Sequence, residues 1–337
     1  MTTRLTRDEL EALVSSALKQ AGASAVSAKA TARALVLAEI DGQGGHGLSR
    51  VESYAAQARS GKVDGNATPV VTRPRSGVIM VDVAHGFFYP AADAAAHEIV
   101  AAARSNGIAA AGFCRSHHAG ALSLVVESYA NEGLVAMMVA NTPKAMTAWG
   151  GRVALFGTNP IAFAAPLPEG GPIIIDMALS EVARGKILKA SQDAKPIPEG
   201  WAKDAKGNPT TDAAAALKGT LQPIGGAKGA ALAFMVEILA AALIGANLSS
   251  EATSFFDGEG APPGVGQLLI VFDPDAFGGR AAFAAKMACL AGAVESDDGA
   301  RLPGSTRAHK RADADRDGIA VTSTMLAQLR NLAGKSA

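Results

Sequence analysis

Cysteine is nearly missing from this chain: Cys114 and Cys289 are the only two in 337 residues. Two cysteines exclude a disulfide framework, and with no CxxC pair a thiolate zinc site is excluded too. So low a count fits a reducing cytoplasm. An excess of one charge is also missing, since 31 Lys+Arg face 31 Asp+Glu. That balance argues against a nucleic-acid groove or an anionic membrane surface as partner. Aromatic residues are scarce, at 5%. The longest apolar run, Ala230–Ala246, contains Glu237 and follows Lys228 closely, so it reads as a buried helix rather than a membrane span. The opening MTTRLTRDEL has no apolar stretch of the kind a secretory leader needs. A cytoplasmic location is expected.

What is present is apolar and small. Hydrophobic residues make up 49%, with 37 glycines, which suits close packing of helices on sheets and is ample for a large core. The length predicts two domains. Thr6 and Glu9 form a capping box, Leu5 and Leu10 a hydrophobic staple, and Leu10, Leu13, Val14 and Leu18 share one face of a first helix ending at Gly22. A second helix runs from Ser24 or Ser27 to Ile40, and a short third over Leu48–Arg59. Further helices are expected at Pro90–Ser105, Ala121–Asn131, Lys228–Gly245, Gly279–Val294 and Thr322–Ala333. Strands are expected at Gly77–Val83, Ile108–Phe113, Leu134–Ala140, Ile161–Ala165, Ile173–Asp176 and Gly266–Asp273, with polar loops over Asp193–Asp212 and Ser296–Asp317. The pattern is mixed α/β.

Six segments bear chemistry-capable residues. Gly42-Gln-Gly44-Gly45-His46-Gly47 matches GxGxxG in letters, but a helix rather than a strand precedes it, so a Rossmann phosphate loop is rejected. A tight turn presenting His46 and, one helical turn later, Arg50 is the better reading: a proton donor beside a carboxylate anchor. A surface histidine and a solvated arginine fit the same letters. With glycines on both sides, Gly45 itself is expected in a left-handed conformation. Arg115-Ser-His117-His118-Ala119-Gly120 joins a strand to a helix N-terminus, where an anion or a proton-transfer role is at home; a plain helix cap is the alternative. Trp149-Gly-Gly through Phe156-Gly-Thr158-Asn159-Pro160 is explained by turn chemistry alone. Asp176 closes a buried strand, either orienting a histidine or capping the next segment. Ile224-Gly-Gly-Ala-Lys228-Gly229 resembles a phosphate cradle but fails the Walker spacing. Arg301-Leu302-Pro303-Gly304, with Arg307 and Lys310 nearby, is basic and fit for a phosphate if a nucleotide lies beside it.

In order and spacing, GGHGLSR, SHHAGAL, WGGRVALFGTNPIAFAAP, IIIDMALSEVARGK, PIPEGWAKDAKGNPTTD and IGGAKGAALAFMVEILAAALIGA resemble the malate/L-lactate dehydrogenase family of the non-Rossmann type, over about residues 5–330. Within it, SHHAGAL, GANLSSEATSFF and ARLPGSTR look most similar to the Δ1-piperideine-2-carboxylate/Δ1-pyrroline-2-carboxylate reductases. The resemblance implies a cofactor domain on a largely antiparallel sheet within residues 76–304. It implies a helix-rich substrate and dimerisation domain from residues 1–75 and 305–337 with part of the central chain. It implies a homodimer, a small-molecule substrate, no metal, and NADPH as cofactor, with NADH as alternative. His46 matches the proton-donating histidine, Asp176 its relay aspartate and Arg50 a substrate-side arginine. His118, Ala119, Gly120, Ala121, Leu122, Thr142, Thr158, Asp176, Met177, Ala178, Lys228, Gly229, Arg301, Leu302, Pro303 and Gly304 match cofactor-binding positions.

One departure stands out. Many relatives carry Ser-His-Gly where this chain has Gly45-His46-Gly47. A relay through a serine side chain is therefore impossible; water or Asp176 serves His46 directly, or the serine is dispensable. His118 matches the acid/base histidine of some hydroxy-acid members and is a rival catalytic residue. The implied activity is NADPH-dependent reduction of a cyclic 2-imino acid to L-proline or L-pipecolate. The alternative is a 2-hydroxy-acid dehydrogenase acting on malate, lactate, sulfolactate or ureidoglycolate, with Lys144 as cation for a second anionic group.

Overall fold

The computed structural model describes residues 2–335. Its centre is a seven-stranded sheet in the order Val70–Arg75, Val78–Asp82, Ile108–Ser116, Val265–Phe272, Val135–Ala140, Ile161–Ala165, Ile173–Met177. Only the second and third strands run parallel; the other neighbours are antiparallel. The sheet is therefore the largely antiparallel one expected. The late segment GQLLIVF sits at its middle because it is apolar on both faces, and both faces are covered. Its one polar side chain, Gln267, is fully buried and reaches out of the sheet to the His117 carbonyl, Nε2 donating at 3.1 Å.

Helices Phe88–Asn106 and Ser123–Asn131 cover one face, packing Phe88, Ile99 and Val126 onto Ile79, Phe113 and Met138. The other face carries helix Ala227–Glu237 and a five-stranded satellite sheet, with Met146, Leu179, Ile187 and Val236 in a second core. A third core joins helices Arg7–Gln20, Ala25–Ile40 and Val51–Ser60 to the C-terminal Ile319–Thr322 and Ser323–Leu332. Thr2–Leu5 pairs antiparallel with Ile319–Thr322, which ties the two ends of the chain together. The capping box at Thr6 and Glu9 forms as expected, and Ser24 caps the second helix.

Three expectations need correction. Thr306–Asp317, read as loop, is a helix; its sequence is nearly all polar, and ion pairs from Arg307 and Arg311 to the buried Asp41 hold it. The Ala-rich segment is a helix over Ala227–Glu237 that widens into a π turn at Ile238–Ala242, and only one side of it is buried. Gly229, Ala230, Ala233 and Val236 pack inward, while Phe234, Met235, Ile238 and Leu243 stay exposed. Small residues allow close approach to the sheet, so the bulky ones are left outside. Finally, the 193–212 loop contains two short strands, Ala202–Lys203 and Pro209–Thr210, of the satellite sheet.

Candidate active site

Asp41 ends the second helix with its carboxylate fully shielded from solvent and held by Arg307 and Arg311 at 2.7 Å, while Lys310 Nζ donates to its carbonyl. Arg307 and Lys310 are thus committed to this helix end rather than free for a phosphate. From that fixed point the chain makes two 3₁₀ turns, Gly44–His46 and Leu48–Arg50. Glu39 Oε2 accepts from Leu48 N at 2.9 Å. A Cβ at Gly47 would crowd that same Oε2 and come within 3.0 Å of Glu39 Cα, so a side chain there would push Glu39 off Leu48 N. Gly45 differs from expectation: its φ is not positive, and a Cβ there would meet nothing within 4 Å.

The turn continues into helix Val51–Ser60, so Arg50, Tyr54 and Gln57 follow one another on successive turns of the same face. The strand Ile108–Ser116 ends directly before His117 and His118 and delivers both against that face. The His46 and His118 rings stack at 5.3 Å. Tyr54 Oη shares a hydrogen bond of 2.7 Å with His118 Nδ1. His117 Nε2 donates to Gln57 Oε1 at 2.9 Å, because the amide nitrogen of Gln57 is occupied in donating to the Phe255 carbonyl. That fixes the tautomer and leaves His117 Nδ1 as a buried nitrogen without a partner, as His46 Nδ1 also is.

All three histidines are held uncharged. Burial and the Arg50 guanidinium lower His46 to about 4, partly opposed by Asp176. Burial, Arg50 and Lys62 lower His117 to about 3. His118 lies well below its usual value for the same first two reasons. Arg50 donates from Nε to the Gly45 carbonyl at 2.7 Å, lies over the Phe256 ring at 4.5 Å, and has a buried Nη1 with no partner. Among the described residues no carboxylate is paired with it.

Asp176 stands at the end of the edge strand Ile173–Met177. Its Oδ2 accepts from Ser123 N at 2.9 Å and from Gln43 Nε2 at 3.3 Å. Ser123 Oγ donates to Gln43 Oε1, which closes a triangle between the turn, the helix after SHHAGA and the strand end. Asp176 makes no hydrogen bond to His46 among the described residues and acts on it through charge alone.

The remaining predicted positions form a connected ribbon beside Asp176. Leu179 N donates to the Thr158 carbonyl at 2.8 Å and Ile224 N to the Leu179 carbonyl at 2.9 Å, so the GTNP, DMA and GGAKG segments are stitched together. Thr142 Oγ1 accepts from Thr158 N at 2.9 Å. Ile174 N donates to the Pro303 carbonyl, which brings Arg301-Leu302-Pro303-Gly304 against the strand of Asp176. Ala119, Ala121 and Leu122 are buried, and a Cβ at Gly120 would meet Tyr89 Oη at 1.9 Å. Met177 and Lys228 are exposed, and Ala178 is half-buried. Gly225 and Gly226 are left-handed before helix Ala227–Glu237. First-turn N–H groups lack intrahelical partners, and with Lys228 they make an open anion cradle. The residues fit a nicotinamide dinucleotide.

Several functional neighbours escape sequence reasoning. Glu237, noticed only as an interruption of an apolar run, is buried and accepts from Asn159 Nδ2 at 2.8 Å and from Ser249 Oγ at 2.6 Å, thereby anchoring the GTNP turn. Gln43, Tyr54 and Gln57 are others, and Phe255 and Phe256 close the GANLSSEATSFF stretch with nothing in the sequence to say what they touch. Lys144 is exposed, and its backbone N–H donates to the Ser249 carbonyl. An apolar cavity of about 480 Å³ lies elsewhere, between Phe272, Phe277 and Phe283, with only Lys286 charged at its lining.

Comparison with known proteins points the same way. The malate/L-lactate dehydrogenase family model matches residues 5–330. The chain is 46% identical over 307 residues to the (2R)-3-sulfolactate dehydrogenase (NADP(+)) of Chromohalobacter salexigens, covering 91% of each. It is 43% identical over 331 residues to the Δ1-pyrroline-2-carboxylate/Δ1-piperideine-2-carboxylate reductase of Pseudomonas putida, covering 97% of this chain and 96% of the relative. Among solved structures, the Δ1-piperideine-2-carboxylate reductase of Pseudomonas syringae superposes with a TM-score of 0.93 at 38% identity, covering 98% of this chain and all of the other.

Proposed function

The chain belongs to the malate/L-lactate dehydrogenase family and is a nicotinamide-dependent oxidoreductase; from that premise we propose that it reduces Δ1-pyrroline-2-carboxylate and Δ1-piperideine-2-carboxylate to L-proline and L-pipecolate with NADPH. Arg50 carries this reading. Its side chain is half-buried, but Nη1 is shielded from solvent with no hydrogen-bond partner and no paired carboxylate among the described residues, which is costly unless an anion arrives. A substrate carboxylate satisfies it with charge-assisted hydrogen bonds.

The surrounding groups then have defined tasks. NADPH, when bound, would supply a hydride to C2 of the C=N bond and so become NADP+. The nitrogen gains the matching proton, so C=N becomes CH–NH. His46 faces the site uncharged and next to Arg50. Neutralising Arg50 with the substrate carboxylate removes one of the two influences that lower the His46 pKa, which favours a protonated imidazole when substrate is bound. An imine nitrogen is basic enough to share that proton before hydride arrives, so the site needs no oxyanion hole. Asp176 adds negative charge on the His46 side, and Tyr54 fixes the His118 ring. Lys228 and the first turn of its helix hold a cofactor phosphate or ribose.

A second reading rests on the sulfolactate dehydrogenase relative. Sulfolactate carries two anionic groups and asks for two cations. The cations that bear on the three histidines are Arg50 and Lys62, and Lys62 is already paired with Asp257. That favours the mono-carboxylate imine. The chain forms a homodimer in this reading, supported by the exposed apolar side chains of Phe234, Met235 and Ile238 on one helix. NADPH oxidation with pyrroline-2-carboxylate against 3-sulfopyruvate tests the substrate: kcat/KM for the imine should be higher by about tenfold or more. A preference for 3-sulfopyruvate overturns it.

A further inference from the structure

The segment Ser254–Asp257 lies far from the catalytic motifs in sequence, yet Gln57 on helix Val51–Ser60 and Lys62 just beyond its end pin it to the site. The Lys62 side chain is 1% exposed. Its Nζ donates to the Ser254 carbonyl at 2.7 Å, to the Asp257 carbonyl at 3.2 Å and to Asp257 Oδ1 at 3.1 Å. Gln57 Nε2 donates to the Phe255 carbonyl at 2.9 Å while its other end holds His117. A Cβ at Gly258 would come within 3.0 Å of the Ala56 carbonyl, so the segment lies flush against helix Val51–Ser60. Burying a lysine ammonium is expensive unless acceptors surround it; here three oxygens do. The result is a fixed placement of two rings. Phe255 lies 4.8 Å from the His118 ring and is buried. Phe256 covers one face of the Arg50 guanidinium and remains 46% exposed.

We propose that Phe255 and Phe256 form a substrate-selecting aromatic wall, and that Lys62 is the positioning residue that holds it. The wall rests on the imine-reductase reading and extends it to selection between substrate classes. Phe256 occupies one face of Arg50 and leaves the guanidinium edge to a single carboxylate. The methylene edge of a five- or six-membered ring packs on the phenyl rings. An open-chain dianion would press its second charge against a ring face, which is electronegative, and lose water without gaining a partner.

The test compares wild type, Phe256→Ala and Lys62→Met, with NADPH and either pyrroline-2-carboxylate or 3-sulfopyruvate. For Phe256→Ala, KM for the imine should rise about tenfold with kcat within about threefold, and the imine-to-sulfopyruvate ratio of kcat/KM should fall at least about tenfold. Lys62→Met should shift the ratio in the same direction, and NADPH affinity by fluorescence titration should be unchanged in both. Phe256 is half-exposed, so its variant decides the matter if Lys62→Met does not fold. Should wild type reduce the imine while Phe256→Ala keeps the ratio within about threefold, the wall is overturned and the imine reading stands. Wild type lacking imine activity removes both.

Discussion

Two glycine-rich segments flank the site and use glycine for opposite reasons. At the proposed cofactor end, Gly225 and Gly226 are left-handed, and a Cβ on Gly229 would stand 1.9 Å from the Ile224 carbonyl. Backbone geometry leaves no room for any other residue at 229. At the catalytic end, Gly47 is similarly hemmed in by Glu39, but Gly45, two residues earlier, is neither left-handed nor crowded. Resemblance in composition therefore hides a difference in constraint. One segment is glycine because the fold demands it. The other holds a position at which the chain does without a side chain although one would fit. The ends also differ in charge: three uncharged histidines and one unpaired arginine at the catalytic end, backbone N–H groups and Lys228 at the other.

If the chemistry resides at the catalytic end alone, His46→Ala should lower imine turnover by about 10²–10⁴-fold, roughly 3–5 kcal/mol of barrier, with NADPH affinity unchanged. Retention of more than a tenth of wild-type kcat would move the acid/base role to His118, which stacks on it. Gly229→Ala probes the other end. Overpacking against the Ile224 carbonyl should cost about 1–3 kcal/mol in thermal or urea unfolding and weaken NADPH in fluorescence titration. A stable variant with full cofactor affinity would show that the segment yields, and that the two ends are alike after all.

Acid separates them further. His117 falls to about 3 and His46 to about 4 in the folded chain, against about 6.5 when unfolded. Below about pH 6.5 the unfolded state takes up protons that the folded state refuses, so stability is complete above that pH and is lost as pH drops toward 4 and 3. The loss should begin at the catalytic end. Melting temperature should fall steadily between pH 7 and pH 4, and hydrogen exchange should rise first in residues 46–57 and 117–118. Uniform loss of protection across both ends would contradict this.

Much of the fold is legible from local signals. Thr6 and Glu9 mark the first helix, and the apolar runs mark six of the seven central strands, since these depend on neighbours along the chain. The helix Thr306–Asp317 is not legible, because what holds it is Asp41, 266 residues away from Arg307. For the same reason Glu237 reads as a flaw in an apolar run rather than as the partner of Asn159. Of the site, His46, Arg50 and His118 stand out by residue type in or beside glycine-containing turns, and Asp176 as a carboxylate closing an apolar strand. Tyr54, Gln57 and Lys62 do not, for on a helix or in the turn after it such residues look like core or surface until Phe255 and Asp257 arrive from about 200 positions later.

The smallest effect is the most pointed. The cluster of glycines suggests that Gly45 is conformationally obligatory, and a serine there would then distort the turn. The structure removes that reason: the backbone is in a region open to any residue, and the space beyond Cα is empty. The turn is held without it, by Gln43 on Asp176 and by the Arg50 Nε on the Gly45 carbonyl. Gly45→Ser should leave stability within about 0.5 kcal/mol, as at other unconstrained positions, with any shift toward greater stability because serine restricts the unfolded chain. Turnover on pyrroline-2-carboxylate should stay within about threefold, since Asp176 already acts on His46 through charge rather than through a serine hydroxyl. Melts and initial rates on the same preparation decide between the outcomes. A fall in melting temperature beyond about 5 °C would restore the conformational explanation and erase the contrast between the two segments. A gain of more than about tenfold in kcat at unchanged stability would show instead that the catalytic end lacks a relay it can use.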